Sequence, residues 1–254
     1  MTIENGIKLL IHAYPGSGKT RFLKTVLDVP EFNPTLLIDF DGGLRTIQSY
    51  VEVIPKMEFL RMDKTAFKKD KLTTVSITSA LDLDAIFDYI FNRDHPFNTI
   101  AVDSLTEINR LAMDTALKIN ELSEVKVTDV KVPEWPEYKK SHAIMVRFLR
   151  TLRNSKFNVI CTAQSKSDKK AGLGGDSVVT RIYPALIGQL SQESEAIFDF
   201  VGAIELGAPP KYERRLLLGP HNIYATKARV DSDKPVEAIS PVTLTKLIEV
   251  INNV

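Results

Sequence analysis

The segment from Ala13 to Thr20 carries the clearest chemical signal in the chain. It reads Ala-Tyr-Pro-Gly-Ser-Gly-Lys-Thr and follows an apolar run that ends at Ile11. In loops of this composition, backbone N–H groups converge on phosphates, the lysine reaches the β- and γ-phosphates, and the final hydroxyl is a ligand of Mg²⁺. The sequence therefore predicts a site for a nucleoside triphosphate with Mg²⁺. The predicted nucleotide-binding residues are Pro15, Gly16, Ser17, Gly18, Lys19, Thr20 and Arg21.

One residue of this loop departs from the usual pattern, because Ala13 stands where a glycine is customary. Alanine adopts most backbone conformations except those with positive φ. We therefore expect the loop to be retained, with at most a small change in its first turn.

Two further apolar runs end in carboxylates. The run at 99–103 ends in Asp103, which is expected to support Mg²⁺ beside Thr20. The run at 36–39 ends in Asp39 and leads to Asp41, which places both carboxylates near the carboxyl edge of the sheet, where a carboxylate can orient or deprotonate an attacking water. The sequence Asp41-Gly42-Gly43 is equally compatible with a simple turn.

A third polar group follows the apolar run at 159–163. The side-chain amide of Gln164 can hydrogen-bond a γ-phosphate or its attacking water. The next segment, Ser165–Ser177, contains Lys166, Lys169 and Lys170 and has the composition of a mobile basic loop. Such a loop either couples the phosphate state to an external ligand or is simply a solvated connection.

The elements that must position these groups alternate along the chain, which predicts βαβ units and a mainly parallel sheet in an α/β fold. The predicted strands are Lys8–His12, Thr35–Asp39, Thr99–Asp103, Val159–Ala163, Phe200–Glu205 and Arg215–Leu218. The predicted helices are Thr20–Leu27, Ser79–Phe91, Tyr138–Arg153 and Pro241–Asn252. No element is predicted for Asp63–Thr74, Glu121–Pro136 or Ser165–Ser177.

Composition sets few further limits. The net charge of +1 gives no basic field of the kind that marks a nucleic-acid-binding protein as a whole. The single cysteine, Cys161, lies in an apolar run, which excludes an intramolecular disulfide and fits a reducing compartment. We expect one domain over residues 1–254, a cytoplasmic location and no membrane association.

Taken together, the motifs resemble the RecA-type ATPase core, and more narrowly the short RecA-like ATPases of bacteriophages that act in DNA recombination and single-strand annealing. The resemblance covers about residues 5–230. It rests on AYPGSGKT, LLIDFDGG, TIAVDSLTEI, the aromatic stretch around Trp135, NVICTAQSKSD and the segment Tyr224–Arg229. It implies a three-layer P-loop NTPase fold, ATP and Mg²⁺ as cofactors, and the host cytoplasm as the location of a phage-encoded protein.

The resemblance also implies roles for individual residues. Asp41 corresponds to the residue that activates water, and Gln164 to the γ-phosphate sensor that leads into a DNA-contacting loop with Lys166, Lys169 and Lys170. The family's other DNA loop would fall within Glu121–Pro136. Its available cations are Lys126 and Lys131.

Lys227 and Arg229 resemble the Lys-x-Arg finger that related recombinases insert into a neighbouring subunit's nucleotide site. Cations supplied in this way stabilise charge on the transferring phosphoryl group. The resemblance thus implies a homo-oligomer, a ring or a filament, with ATP at the subunit interfaces. Without the family, the pair is equally compatible with an ordinary basic strand edge.

The leading hypothesis is an ATP-hydrolysing protein that binds single-stranded DNA and assists recombination or annealing, with a single-strand-binding protein as a further candidate partner. In this hypothesis Trp135 either stacks on bases or is packed in the protein. One alternative is a P-loop kinase for a small acceptor. Another is a non-hydrolytic ATP-dependent clamp or helicase-loading accessory.

Overall fold

A mostly parallel β-sheet forms the centre of the molecule. The computed structural model describes residues 6–77, 79–118, 131–171, 177–230, 236 and 238–253. Within these residues the main path of the sheet has the strand order β10-β8-β1-β6-β5-β2-β4-β3, while β7 pairs with β6 and β9 pairs with β8. The strands are β1 Lys8–Ala13, β2 Thr35–Asp39, β3 Val51–Val53, β4 Leu72–Ser76, β5 Thr99–Asp103, β6 Asn158–Ala171, β7 Ser177–Pro184, β8 Phe200–Leu206, β9 Arg214–Leu217 and β10 Lys227–Ala228.

The direction of the strands gathers the chemically interesting residues at one edge. The neighbours β8, β1, β6, β5 and β2 are all parallel, whereas β7, β9 and β10 are antiparallel additions. Because the carboxyl ends of parallel strands meet at the same edge, the residues that follow β1, β2 and β5 lie beside one another. The continuation of β6 beyond the pairing with β1 leaves from this same edge.

Helices cover both faces of the sheet. Residues of α3, α4, α5 and α6 pack in one apolar core, and residues of α1 and α7 pack in the other. Leu10 belongs to the first core while Leu9 and Ile11 belong to the second, because successive side chains of a strand point to opposite faces. The helices are α1 Lys19–Lys24, α2 Lys56–Phe59, α3 Ala80–Asn92, α4 Leu105–Ala116, α5 Trp135–Arg153, α6 Leu190–Ile197 and α7 Leu244–Asn253.

This architecture confirms the predicted α/β class. Each of the six predicted strands overlaps an observed strand, and all four predicted helices are present with shifted bounds. The helix predicted from Tyr138 begins at Trp135, because Glu134 and Glu137 form a capping box with Pro136 in the first turn. The helix predicted from Thr20 ends at Lys24 and continues as a 3₁₀ turn, Thr25–Asp28.

The prediction of a loop over Ser165–Ser177 is wrong for the part that the structure describes. The strand β6 continues to Ala171 and pairs antiparallel with β7, so Ser165 lies opposite Pro184 and Lys170 opposite Val178. Polar side chains are compatible with this strand because the ribbon stands largely in solvent. The outcome is a two-stranded basic ribbon instead of an irregular loop.

The segment Asp63–Thr74 also contains more order than predicted. The strand β4 begins at Leu72, and Phe67 is buried against Phe59 and Phe97 with ring centroids 5.8 Å and 4.8 Å away. A single aromatic anchor therefore holds a lysine-rich segment to the core. Among the described residues, no helix combines the length and the apolar character that crossing a bilayer requires.

Candidate nucleotide-binding site

The predicted phosphate-binding loop joins β1 to α1. Gly16 and Gly18 have φ values of 78° and 104°, in the left-handed region that favours glycine. Ala13 is instead the last residue of β1 and pairs in register with Gln164, so an extended backbone is required there. This explains why alanine is tolerated at the position where a glycine is customary.

Lys19 lies in the centre of the loop. Its side chain is 8% exposed, and Nζ donates to the carbonyl oxygens of Ala13 and Tyr14 at 3.1 Å and 3.4 Å. Burial lowers the pKa of Lys19, while the negative charges of Asp103 and Asp41 act in the opposite direction. The ammonium group is thus held beside two carboxylates of the sheet edge.

Asp103, the last residue of β5, connects α1 and β6 at this edge. It is fully buried, its Oδ2 accepts a hydrogen bond from Thr20 Oγ1 at 2.8 Å, and its Oδ1 accepts one from Thr162. Burial raises the pKa of Asp103, and these two hydrogen bonds partly oppose the rise. The predicted metal ligands Thr20 and Asp103 therefore lie in direct contact.

Asp39 is a second buried carboxylate, which sequence reasoning placed near this edge but gave no role. It lies beside Asp103 in the register of β2 and β5, and its Oδ1 accepts a hydrogen bond from the backbone N–H of Gly42 at 3.1 Å. Burial, with a further contribution from Asp103, raises the pKa of Asp39 to about 6. Its hydrogen bond fixes the turn that carries Asp41.

Asp41 is exposed, in contrast to both buried carboxylates. Its backbone N–H donates to the carbonyl oxygen of Asp103 at 3.2 Å, and its charge acts on Lys19 and on Asp103. The turn and the catalytic interpretation of Asp41-Gly42-Gly43 are therefore compatible: the residues form a turn, and that turn presents a solvent-accessible carboxylate at the phosphate-binding loop.

The oxygen atoms at this edge fit a hard divalent cation. Thr20 and Asp103 supply a hydroxyl and a carboxylate, the ligand types that Mg²⁺ prefers. Burial is the main cause of the raised pKa values of Asp39 and Asp103, and a cation beside them would stabilise their ionised forms. Within the described residues, no group of three or more His, Cys, Asp or Glu side chains forms a metal cage.

The buried pair of carboxylates predicts a pH dependence of stability. Because the folded-state pKa of Asp39 is above its ordinary value of 3.8, ionisation costs more in the folded chain than in the unfolded chain. The free energy of unfolding without nucleotide should therefore fall as the pH rises from about 4 to about 6. The variant Asp39→Asn keeps the acceptor for Gly42 and should lose less stability over this range.

Urea unfolding of the wild type and of Asp39→Asn at both ends of this pH range measures the effect. The exposed Asp84→Asn provides the matched control for removal of one carboxylate. An equal fall in stability for all three proteins would show that Asp39 does not titrate as described.

Gln164 is fixed by its backbone. Its N–H donates to Thr106 Oγ1 at 2.9 Å, and its carbonyl accepts from Ala185 N–H at 2.7 Å. Within the part of the chain that the structure describes, its side-chain amide has no hydrogen-bond partner. The amide therefore remains available beside Ala13, at the start of the phosphate-binding loop.

His12 ties this region together and was not singled out from the sequence. Its Nε2 lies 2.9 Å from the carbonyl oxygen of Ala225, which can only accept, so Nε2 carries the proton. In the neutral ring Nδ1 then accepts from the hydroxyl of Ser165 at 2.8 Å. Burial lowers the pKa of His12 to about 4, which keeps the ring neutral.

Arg214 is another contact that the sequence does not reveal, because it depends on the pairing of β8 with β9. Its Nε donates to the carbonyl oxygen of Ser17 at 2.9 Å, and a Cβ added at Gly18 would lie 3.1 Å from that nitrogen. The arginine therefore packs against the outer side of the phosphate-binding loop and supports its shape.

Lys227 and Arg229 lie away from this loop within the chain. Lys227 Nζ donates to the carbonyl oxygens of Glu195 and Phe198 at 2.9 Å and 2.8 Å, and Arg229 pairs with Asp199 at 3.0 Å. They flank the start of β8, at the opposite sheet edge from the loop that follows β1. Lys227 and Arg229 are therefore expected to contact only a nucleotide that is bound by a neighbouring chain. This role stays a prediction.

The predicted DNA-contacting lysines have different surroundings. Lys166 donates to the carbonyl oxygen of Leu186 at 2.6 Å, whereas Lys169 and Lys170 are exposed on the ribbon of β6 and β7. Lys131 is exposed and donates to the carbonyl oxygen of Leu117 at 3.1 Å. Lys126 lies outside the described residues.

Trp135 is exposed, which excludes the packed alternative left open by the sequence, while base stacking stays a prediction. Its side chain is 71% exposed in the first turn of α5, and Lys139 Nζ lies 5.4 Å from the ring centroid. A cavity of about 410 Å³ separates this turn, including Tyr138, from the backbone at 187–189. The indole is thus a solvent-exposed apolar face beside Lys139.

Comparison with known proteins places this chain in a family. The sequence model of the family described as "AAA domain" matches residues 5–230. Solved structures similar to this chain include the assembled ATPase EscN of the enteropathogenic E. coli type III secretion system, at 18% identity and a TM-score of 0.43 over 78% of this chain and 43% of that chain. The RadB recombinase is similar at 11% identity and a TM-score of 0.41, over 83% of this chain and 79% of that chain.

The same EscN in complex with its central stalk EscO gives 16% identity and a TM-score of 0.42, over 79% of this chain and 42% of that chain. The chain thus spans less than half the length of the EscN chains it matches. No curated protein sequence matches this chain.

The family match covers most of the chain and contains every described residue of the site. The chain belongs to the AAA domain family, as an ATPase domain of the P-loop NTPase type.

Proposed function

We propose that this protein hydrolyses ATP, binds single-stranded DNA and assists DNA recombination or annealing, in the manner of RecA-like recombination ATPases. One observation carries the proposal. Gln164, at the nucleotide-binding edge, continues without a break into the ribbon that bears Lys169 and Lys170. A group that contacts the γ-phosphate is thereby on the same strand as exposed cations.

ATP binding is the first step of the proposed mechanism. The backbone N–H groups of the loop and the Lys19 ammonium bind the phosphates, and the two left-handed glycines allow the close approach. Thr20 and Asp103 would hold Mg²⁺, which neutralises phosphate charge when bound. Arg21, exposed after the loop, is free to contact the rest of the nucleotide.

Hydrolysis follows by in-line attack of water on the γ-phosphate. We assign Asp41 as the group that accepts the proton of the attacking water or orients it, since it is the exposed carboxylate of the site. Asp39 is a positioning residue, because it acts through the turn that it holds at Gly42. The Gln164 amide donates to the γ-phosphate or its water.

A change at Gln164 has a direct route to the DNA-binding ribbon. The next residue, Ser165, donates to His12, whose ring also bonds the backbone at Ala225. In the proposal, a change at the Gln164 side chain is transmitted through Ser165 to these contacts at the base of the ribbon. This coupling lets ATP and DNA affect each other's binding, as reciprocal linkage requires.

The DNA-binding face combines cations with an aromatic surface. Lys169 and Lys170 provide contacts to phosphates, and Trp135 with Tyr138 provides a surface on which bases stack. Lys166 Nζ bonds Leu186, next to the 187–189 backbone that faces Trp135, so the two groups share one side of the molecule.

Assembly completes the proposed active site. In the proposed ring or filament, Lys227 and Arg229 give up their contacts within the chain and enter the nucleotide site of the next subunit, where they would stabilise transition-state charge. In this arrangement an isolated chain hydrolyses ATP poorly. A single-strand-binding protein remains a candidate partner.

The DNA-binding face is tested by the anisotropy of a fluorescein-labelled oligo(dT) with Trp135→Ala. Loss of one stacking contact is worth about 1–3 kcal/mol, so affinity should fall about tenfold at each salt concentration. Tyr50→Ala is the matched control, because Tyr50 is also an exposed aromatic residue but lies elsewhere. Equal affinities of Trp135→Ala and the wild type for oligo(dT) would show that bases do not stack on Trp135.

Replacing the two ribbon lysines with alanine tests the electrostatic contribution to DNA binding. The variant Lys169→Ala/Lys170→Ala should lower the slope of log affinity against log salt by about 1.4, since each lost contact to single-stranded DNA contributes about 0.7. Lys69→Ala/Lys246→Ala removes the same charge from exposed positions elsewhere. If both double variants gave the same slope, the ribbon would not contact DNA.

A further inference from the structure

A groove between α5 and α6 lies outside the nucleotide site. It has a volume of about 780 Å³ and shares no lining residue with the phosphate-binding loop or with Gln164. The end of α5 at Arg153 closely precedes β6, and the end of α6 at Ile197 closely precedes β8. The groove is therefore near the amino ends of the parallel strands, opposite the edge that binds the nucleotide.

One wall of this groove carries three arginines of α5. Arg147, Arg150 and Arg153 are exposed, and within the described residues none of their side chains has a carboxylate partner. They recur every third residue, which places successive Cα atoms about 4.5 Å apart along the helix axis. The wall is thus a row of unpaired guanidinium groups.

The floor of the groove is apolar. It is formed by Ala143 and Val146 of α5 and by Ala196 and Ile197 of α6. At one end of the groove, His142 Nε2 lies 3.2 Å from Glu193 Oε1. The groove therefore offers positive charge, an apolar surface and one local negative charge.

This combination decides what kind of ligand fits. Guanidinium groups bind carboxylates through two parallel hydrogen bonds, and clusters of arginine are a common means of recognising acidic motifs. A nucleic-acid backbone carries a charge at every phosphate and would have to cross the apolar floor and Glu193 without a matching group. A peptide can alternate carboxylates with apolar side chains and so matches both surfaces.

We propose that the α5–α6 groove binds an acidic peptide segment of a partner protein, with carboxylates on Arg147, Arg150 and Arg153 and apolar side chains on the floor. This inference is independent of the proposed hydrolysis and DNA binding.

The arginines also have a structural effect that the experiment must separate from binding. Arg150 and Arg153 lie in the last turn of α5, where positive charge stabilises a helix. A loss of stability on their removal would therefore not show a binding site. The readout must be binding itself, measured on variants that remain folded.

The experiment uses the full chain and three fluorescein-labelled probes: a peptide of alternating glutamate and leucine, the same peptide with serine in place of leucine, and oligo(dT). The Glu/Leu peptide should bind the wild type saturably and more tightly than the Glu/Ser peptide. The variant Arg147→Ala/Arg150→Ala/Arg153→Ala should weaken it at least about tenfold. The control Arg61→Ala/Lys69→Ala/Lys246→Ala removes equal charge from exposed sites and should bind like the wild type.

A second variant tests whether the apolar floor of the groove contributes to peptide binding. Ala143→Gln places a polar side chain on an exposed floor position, adds no charge that could pair with Arg147 one turn away, and should also weaken peptide binding. The proposal is overturned if the wild type shows no saturable peptide binding below about 1 mM, or if the two peptides bind equally. It is also overturned if the arginine variant loses oligo(dT) binding or self-association, measured by sedimentation, while peptide binding is unchanged.

Discussion

Replacement of Lys19 with alanine is expected to abolish measurable ATP turnover and to weaken nucleotide binding. The Lys19 ammonium is buried at the loop and near Asp103 and Asp41, so the variant leaves the phosphates without their positioned cation. Removal of a single preorganised charge-stabilising group costs about 10²–10³ in rate, and we expect at least this loss. Phosphate release and the binding of a fluorescent ATP analogue measure the two effects.

The control for this variant is Lys246→Ala, an exposed lysine of α7. It should keep wild-type turnover and wild-type nucleotide affinity. Turnover by Lys19→Ala within about threefold of the wild type would show that the phosphate-binding loop does not bind the reacting nucleotide as described.

The second large effect is expected at Asp41. The variant Asp41→Asn should lower kcat by about 10²–10³, because general-base groups contribute about 10²–10⁴ to rate, while nucleotide affinity stays close to that of the wild type. Asp39→Asn keeps the acceptor for Gly42 and should therefore retain most of the turnover. The two variants thus distinguish the reacting carboxylate from the positioning one.

The opposite pattern would reassign the roles. If Asp39→Asn lost turnover while Asp41→Asn kept it, the buried carboxylate beside Asp103 would be the reacting group. Circular dichroism of both variants establishes that they are folded before rates are compared.

Local patterns were sufficient to predict the centre of the sheet and the loop that follows its first strand. The apolar runs at 8–12, 35–39 and 99–103 form buried strands, because such runs are stable only when both faces of a sheet are covered. The proximity of Thr20 and Asp103 was expected for a different reason: parallel strands bring their carboxyl ends to the same edge of the sheet.

Contacts that depend on distant pairing could not be predicted. The extension of β6 reads as a polar loop, and only its pairing with β7 makes it a strand. Arg214 reaches Ser17 because β9 pairs with β8, which no local pattern indicates. No element was predicted for α4 or α6, and the division of the chain into domains stays a prediction.

Sequence spacing was not sufficient to assign the roles of Asp39 and Asp41. Asp39 ends β2 and Asp41 follows two residues later, and the sequence alone does not tell which side chain is buried. The structure distinguishes them, because Asp39 lies in register with Asp103 and Asp41 lies on the following turn.

The central claim is that ATP turnover at the loop is coupled to single-stranded DNA. The most direct test is steady-state ATP hydrolysis by the wild type and Lys19→Ala, each titrated with oligo(dT) at about 50 mM and about 200 mM salt. We expect DNA-stimulated turnover that is weaker at the higher salt concentration and absent in Lys19→Ala. Turnover that is indifferent to DNA would contradict the claim: dependence on a small acceptor would indicate a kinase, and ATP binding without turnover a clamp.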